Sequence, residues 1–168
     1  LSVLQKMNFY LRTGLGKSDT TYGGSADDPT MGLVQGNGAA PPGFLVVSSL
    51  MINAYRRLGH GANVVAPWTG DAFFIAAILY VDDSDLWHLS DGIETDEEFF
   101  ERIQQATFDW GGLVQATGGH LKPSKCFWYM LSWRWLRGEP VLKKVSQLPK
   151  EPLLIPQPDG RTVPIPLK

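Results

Sequence analysis

Apolar residues follow the chain in two distinct rhythms. Phe44, Val47, Ser48, Met51, Tyr55 and Leu58 recur at helical spacing, so residues 43–58 predict a helix of four to five turns. The "MGLVQGNGAAPP" stretch (31–42) precedes it, and its two prolines suit a first helical turn, where an amide N–H has no partner in any case. "GHG" (59–61) supplies the stop. A second helix is announced by "TDEE" (95–98), a capping box in which Thr95 and Glu98 satisfy each other's backbone amides, and Phe99, Phe100, Ile103, Ala106 and Trp110 continue it at helical spacing. "TGG" (117–119) ends it.

The other rhythm is that of strands. "AFFIAAILYV" (72–81) is apolar on both parities, the pattern of a strand covered on both faces, and "SDLWHL" (84–89) reads as its return partner, with the acidic residues at the hairpin tip. Strict alternation over 72–83 puts Tyr80 and Asp82 on one face and Leu79, Val81 and Asp83 on the other. "KCFWYMLSWRW" (125–135) is aromatic enough for one or two more strands. Beyond Gly138 the chain is rich in proline and extended, with "PDGRTVPI" (158–165) a turn between short strands. At the other end, Val3, Leu4, Met7 and Leu11 suggest the end of a helix over 1–12, and 13–28 reads as turns or a loose hairpin. The fold class expected from this order is α+β, an antiparallel sheet backed by two helices.

Composition narrows the chemistry. The 168 residues, 43% hydrophobic, suit one globular domain. A single cysteine, Cys126, excludes an internal disulfide and a Cys-based zinc site and points to an intracellular protein, without separating nucleus from cytoplasm. No apolar run is long enough for a membrane span, and 1–10 lacks the features of a signal peptide. The chain opens at Leu1 inside an amphipathic segment, the pattern expected of a piece of a longer protein. The net charge of −2 conceals a division: residues 1–136 carry 9 Lys+Arg against 14 Asp+Glu, and 137–168 carry 6 against 3. Charge alone does not predict nucleic-acid binding, so such a function must rest on specific residues, bound cations or the basic tail.

"GLGKSD" (14–19) lacks the spacing and the preceding strand of a phosphate loop. The carboxylates behind the apolar run are a stronger signal. Asp82 and Asp83 repel each other unless something offsets their charge, and a divalent cation does so. Two aspartates alone equally mark a turn. The order of glycine turn, helix, apolar strand, acidic tip, return strand, capped helix and aromatic strand resolves the ambiguity. "LVQGNGAAPP", "YVDD" and "GGHLKPSKCFWYM" together resemble the palm of reverse transcriptases, most closely those of non-LTR or related eukaryotic retroelements. The resemblance covers roughly 32–135.

That resemblance implies an RNA-directed DNA polymerase using two Mg²⁺ ions, with Mn²⁺ an alternative, deoxynucleoside triphosphates, and a primed RNA or DNA template. It implies Asp82 and Asp83 as metal ligands and Lys125 as the residue that stabilises or protonates the leaving pyrophosphate. Gln35, Gly36 and Asn37 would wall the nucleotide and primer-template pocket, with Tyr80 beside the primer. Asp85 reads as outer or solvated. The implied organisation is a segment 1–30 before the palm, the palm over 31–136, and a basic, proline-rich extension over 137–168 toward a thumb. The family's first metal-binding aspartate has no counterpart in 1–30, where Asp19, Asp27 and Asp28 lie in polar sequence, so 1–168 alone is expected not to extend primers. The competing readings are a non-catalytic nucleic-acid-binding or interaction module derived from such a palm, and an RNA-dependent RNA polymerase. Trp110, Trp128, Trp133 and Trp135 read as core, His88 and His120 as structural or exposed, and Cys126 as a small buried residue.

Overall fold

The computed structural model describes residues 8–14, 16–23, 40–80 and 83–168. By contacts the chain divides into two units, Leu1–Val46 and Val47–Lys168. In the first, β1 (Phe9–Thr13) and β2 (Gly16–Tyr22) form an antiparallel hairpin with an irregular register between Tyr10 and Arg12. A hairpin does form, but it starts at Phe9, earlier than the turns or loose hairpin expected over 13–28, so residues 9–12 are strand and not the helix that the apolar spacing of 1–12 suggested. Few residues separate them from the Gly- and Thr-rich segment, so pairing across that turn prevails over a short helix of marginal stability. Helix α1 (Ala40–Arg57) begins in this unit with Pro41 and Pro42 in its first turn and continues into the second.

In the second unit α1 buries Ser48 and Tyr55, with Met51 and Ile52 half-buried between them. The remaining elements are β3 (Ala62–Val65), β4 (Ala72–Ile75), β5 (Ala77–Tyr80), β6 (Asp83–Leu86), α2 (Asp96–Ala116), β7 (Trp133–Leu136), β8 (Glu139–Leu142), β9 (Leu153–Pro156) and β10 (Thr162–Ile165). The fold is α+β. The strands of the described residues pair only as antiparallel hairpins, giving five two-stranded sheets and not one continuous sheet.

The cause lies partly at Ala76. The apolar run expected to form one strand over 72–81 breaks there into β4, which pairs backward with β3, and β5, which pairs forward with β6. Ala76 itself is buried, and its carbonyl accepts from Trp87 N at 3.0 Å. The run is not covered on both faces, because Phe73, Phe74, Ile78 and Tyr80 are exposed. Besides Ala76, Leu79 packs against the core, as does Leu86 opposite it on β6.

Helix α2 carries the capping box its sequence announced: Thr95 Oγ1 accepts from Glu98 N at 3.2 Å and Glu98 Oε2 accepts from Thr95 N at 2.8 Å. Phe100 joins Trp128, Met130, Leu148, Leu153, Ile155 and Ile165 in one cluster; Ala106 and Trp110 join Tyr55 and Ala76 in another. The proline-rich tail is extended, as its composition requires, and it packs into this core. Gln104 holds it in place: its side-chain amide donates to Leu154 O at 2.8 Å and accepts from Leu154 N at 2.7 Å, standing in for a neighbouring strand along β9. Trp133 and Trp135, expected in the core, are exposed. Hairpin β7–β8 turns at Arg137 (φ 54°) and Gly138 (φ 84°), two left-handed residues of the kind a tight two-residue hairpin turn demands.

Two adjacent glycines of α2 test this packing with opposite signs. A Cβ on buried Gly111 would fall on Pro156 Cγ and lie 2.8 Å from its Cδ, whereas a Cβ on Gly112 meets nothing. Gly111→Ala is expected to lower unfolding free energy by about 1–3 kcal/mol through overpacking. Gly112→Ala is expected to raise it by up to about 1 kcal/mol through helix propensity. Urea denaturation of both variants checks the pair; equal effects would mean α2 does not lie on β9 in this way.

Candidate functional site

Hairpin β5–β6 is set by its register: Ala77, Ile78, Leu79 and Tyr80 stand opposite Leu86, Asp85, Ser84 and Asp83. Residues directly opposite in an antiparallel pair share a face. Ile78, Tyr80, Asp83 and Asp85 therefore occupy the solvent face, and Leu79 and Leu86 the core face. This corrects the alternation expected for one unbroken strand, which set Asp83 apart from Tyr80. The connection between them, Val81 and Asp82, lies outside the described residues, as do Gln35, Gly36 and Asn37.

Asp83 lines an open depression of about 590 Å³ together with Ser124, Lys125, Cys126, Phe127 and Lys168 and three prolines. Two of the residues singled out by sequence, Asp83 and Lys125, thus face the same space. Tyr80, three-quarters exposed, stands across the hairpin from Asp83 and is not part of that lining. Lys125 is positioned by the 3₁₀ turn Pro123–Lys125, closed by Cys126 N donating to Pro123 O at 3.1 Å. Cys126 is half-buried, its thiol donates to Lys122 O, and burial raises its pKa. Lys168 escaped the sequence reading. It reaches the depression because Trp128 bridges to Leu167, with Lys168 N donating to Trp128 O at 3.1 Å, a pairing far apart in sequence that no local motif signals.

The ground beneath the hairpin is a polar network inside the core. Tyr55 Oη and His88 Nε2 are 2.9 Å apart, and His60 Nε2 donates to Asp109 Oδ2 at 2.7 Å while the Tyr55 and His60 rings stack at 4.7 Å. Asp109 also accepts from Gln105 at 3.1 Å. Arg102 pairs with Glu94 and donates to Leu89 O at 3.0 Å, fastening the chain that leaves β6 onto α2. Burial, then the Arg102 charge, then His60 lower the His88 pKa to about 4. Its buried Nδ1 has no partner among the described residues, so a proton added there gains no acceptor. Burial, then the Asp109 carboxylate, raise the pKa of Tyr55.

Among the described residues no three His, Cys, Asp or Glu side chains converge as a metal site, and no helix is long and apolar enough to cross a membrane. The Asp83 carboxylate is exposed and enters no side-chain hydrogen bond or ion pair among the described residues, leaving its oxygens open to a hard cation. Asp85 shares its face two residues on. What these elements define is an α+β protein in which an acidic hairpin strand borders an open depression that also holds Lys125 and Lys168. Compared with known proteins, the chain matches no family model, no curated protein and no solved structure.

The network makes a pH prediction. With its pKa depressed in the fold, His88 contributes stability that is fully present above its ordinary value near 6.5 and is lost as pH falls toward 4. Its ring resonances should titrate near pH 4 by NMR, and the urea midpoint should decline between pH 6.5 and 4, less steeply in His88→Gln. A His88 that titrates near 6.5 would show that the Tyr55 contact does not hold it in the core.

Proposed function

We propose that this chain is palm sequence of an RNA-directed DNA polymerase, with the β5–β6 hairpin as its metal-binding element. The observation that carries the reading is the hairpin register, in which Tyr80 and Asp83 face each other across the Val81–Asp82 connection and Asp83 opens onto the depression that also holds Lys125. The order of the glycine turn, the Y-x-D-D sequence and the lysine motif supports the same reading.

In this reading the primer 3′-hydroxyl attacks the α-phosphorus of a deoxynucleoside triphosphate, forming the new O–P bond as the bond to the bridging oxygen breaks and pyrophosphate leaves. The oxygen ligands fit magnesium, which when bound supplies charge neutralisation at the attacking and leaving oxygens. Asp82 and Asp83 would hold the ion. Lys125 meets the charge growing on the pyrophosphate or gives it a proton. Tyr80 offers an exposed ring beside the acidic tip for the primer end. Gln35, Gly36 and Asn37, which lie outside the described residues, would wall the nucleotide, a glycine allowing close backbone approach and amides able to pair with polar groups of the substrate.

The test is charge removal at constant size. In a full-length protein that contains this segment, Asp82→Asn and Asp83→Asn should each leave template affinity within a few-fold of the parent. Primer extension should fall by at least about a hundredfold, the scale of losing one preorganised electrostatic group. Filter binding and extension at saturating magnesium, on the same preparations, read both quantities. Equal extension by parent and variants would make the aspartates turn residues; template binding without extension by any of them would favour a non-catalytic module.

A further inference from the structure

The depression beside the β5–β6 hairpin holds more positive charge than the sequence announced. Lys125 and Lys168 both line it, with Asp83 the one acid among its described lining. Several basic side chains elsewhere are matched: Arg102 pairs with Glu94, Lys143 with Asp96 and Arg161 with Asp159. Neither Lys125 nor Lys168 has a carboxylate partner among the described residues, so two ammonium groups border one open space with their charge unspent.

The remaining lining leaves an anion few other partners. Pro123, Pro164 and Pro166 carry no amide N–H, and the Cys126 thiol is committed to Lys122 O. The side-chain donors open to a ligand are therefore the two ammonium groups and the Ser124 hydroxyl. Such a set suits an anion with several acceptor oxygens, since hydrogen bonds between ionised partners are the strong ones.

Lys168 is held in place from behind. Trp128 N donates to Pro166 O and Lys168 N to Trp128 O, each at 3.1 Å, and Leu167 between them packs against the cluster around Phe100. The Lys168 Nζ lies 3.8 Å over the Phe127 ring. A ring face attracts the ammonium without cancelling its charge, so the side chain is placed and still able to bind an anion. Lys168 also lies well beyond 32–135, the stretch that resembles the polymerase palm, so no motif of that resemblance gives it a role.

We propose that Lys168 is a second pyrophosphate-binding residue of this depression, sharing with Lys125 the two phosphoryl groups that leave when a nucleotide is added. The proposal rests on the polymerase reading for the source of the ligand, whereas the binding itself needs only the two lysines. Lys168 contributes charge to the departing oxygens and neither gives nor takes a proton.

The 168-residue chain is titrated with inorganic pyrophosphate in the absence of divalent metal, with phosphorus NMR and calorimetry reading the affinity. Lys168→Gln and Lys125→Gln are each expected to bind at least about tenfold more weakly, the scale of one lost hydrogen bond to a charged group. Asp83→Asn is expected to bind a few-fold more tightly, because it removes a charge of the ligand's own sign from the same space. Lys150→Gln takes an equal charge from an exposed position outside the depression and is expected to bind like the parent. In a full-length protein that contains this segment, Lys168→Gln should raise the pyrophosphate concentration that half-inhibits primer extension by at least about tenfold. The proposal is overturned if the parent does not bind pyrophosphate or if folded Lys168→Gln binds it as tightly as the parent. It is also overturned if Lys150→Gln weakens binding as much, which would leave net charge as the cause. Pyrophosphate held by both lysines in a protein whose extension survives Asp83→Asn would keep the anion site and lose the polymerase reading. Extension abolished by Asp83→Asn, with binding indifferent to Lys168, would do the reverse.

Discussion

Helix α2 is the wall that both hydrophobic clusters share, and the second unit depends on it. Phe100 closes the cluster built from the aromatic segment and the tail, while Ala106 and Trp110 close the one that holds α1 and the β5–β6 hairpin. Leu121, just past the helix, touches both. Its start is fixed locally by the Thr95–Glu98 box, so the helix can be set before its partners arrive. Gln104 then aligns β9, and Arg102 fastens the chain beyond β6. A register error in α2 would displace both clusters together.

What the sequence revealed divides along the range of the interactions involved. Both helices, the β9–β10 turn and the reversal between Tyr80 and Asp83 were legible because caps, prolines and period are local properties. Three features were not. The split at Ala76 arises because β4 finds its partner in Ala62–Val65, a short stretch with no strand signal of its own. The parity of 126–136 is obscured because large apolar side chains stand at even positions (Trp128, Met130, Leu136) as well as odd ones, so Trp133 and Trp135 read as core. Lys168 depends on a bridge from Trp128 to Leu167 across forty residues of intervening chain, and such pairings leave no periodic trace. At the site, the joint presence of Asp83 and Lys125 was expected from motif order, and the structure brings them to one depression.

The acidic hairpin is held from behind by unusual material. Two histidines, a tyrosine and an aspartate sit where aliphatic side chains would ordinarily fill the space between α1, α2 and the strand leaving β6. Such a network is directional where an aliphatic contact is not, so it fixes orientation as well as distance.

Because every strand among the described residues pairs with one neighbour, each ladder keeps two edges unpaired by another described strand. The C-terminal edges are blunted: Pro140, Pro156 and Pro164 interrupt their donors, and Gln104 covers the outer side of β9. From β3 to β6 no strand contains proline, and β4, "AFFI", has no charge either. On β6 the carboxylates of Asp83 and Asp85 put charge on an edge strand, a feature that discourages intermolecular strand addition in natural sheets. Asp83, which the polymerase reading places on a cation, is thus also a charge on a strand edge. Substitutions that remove acidity from this hairpin would therefore strip charge from an edge strand as well as a ligand that the polymerase reading requires.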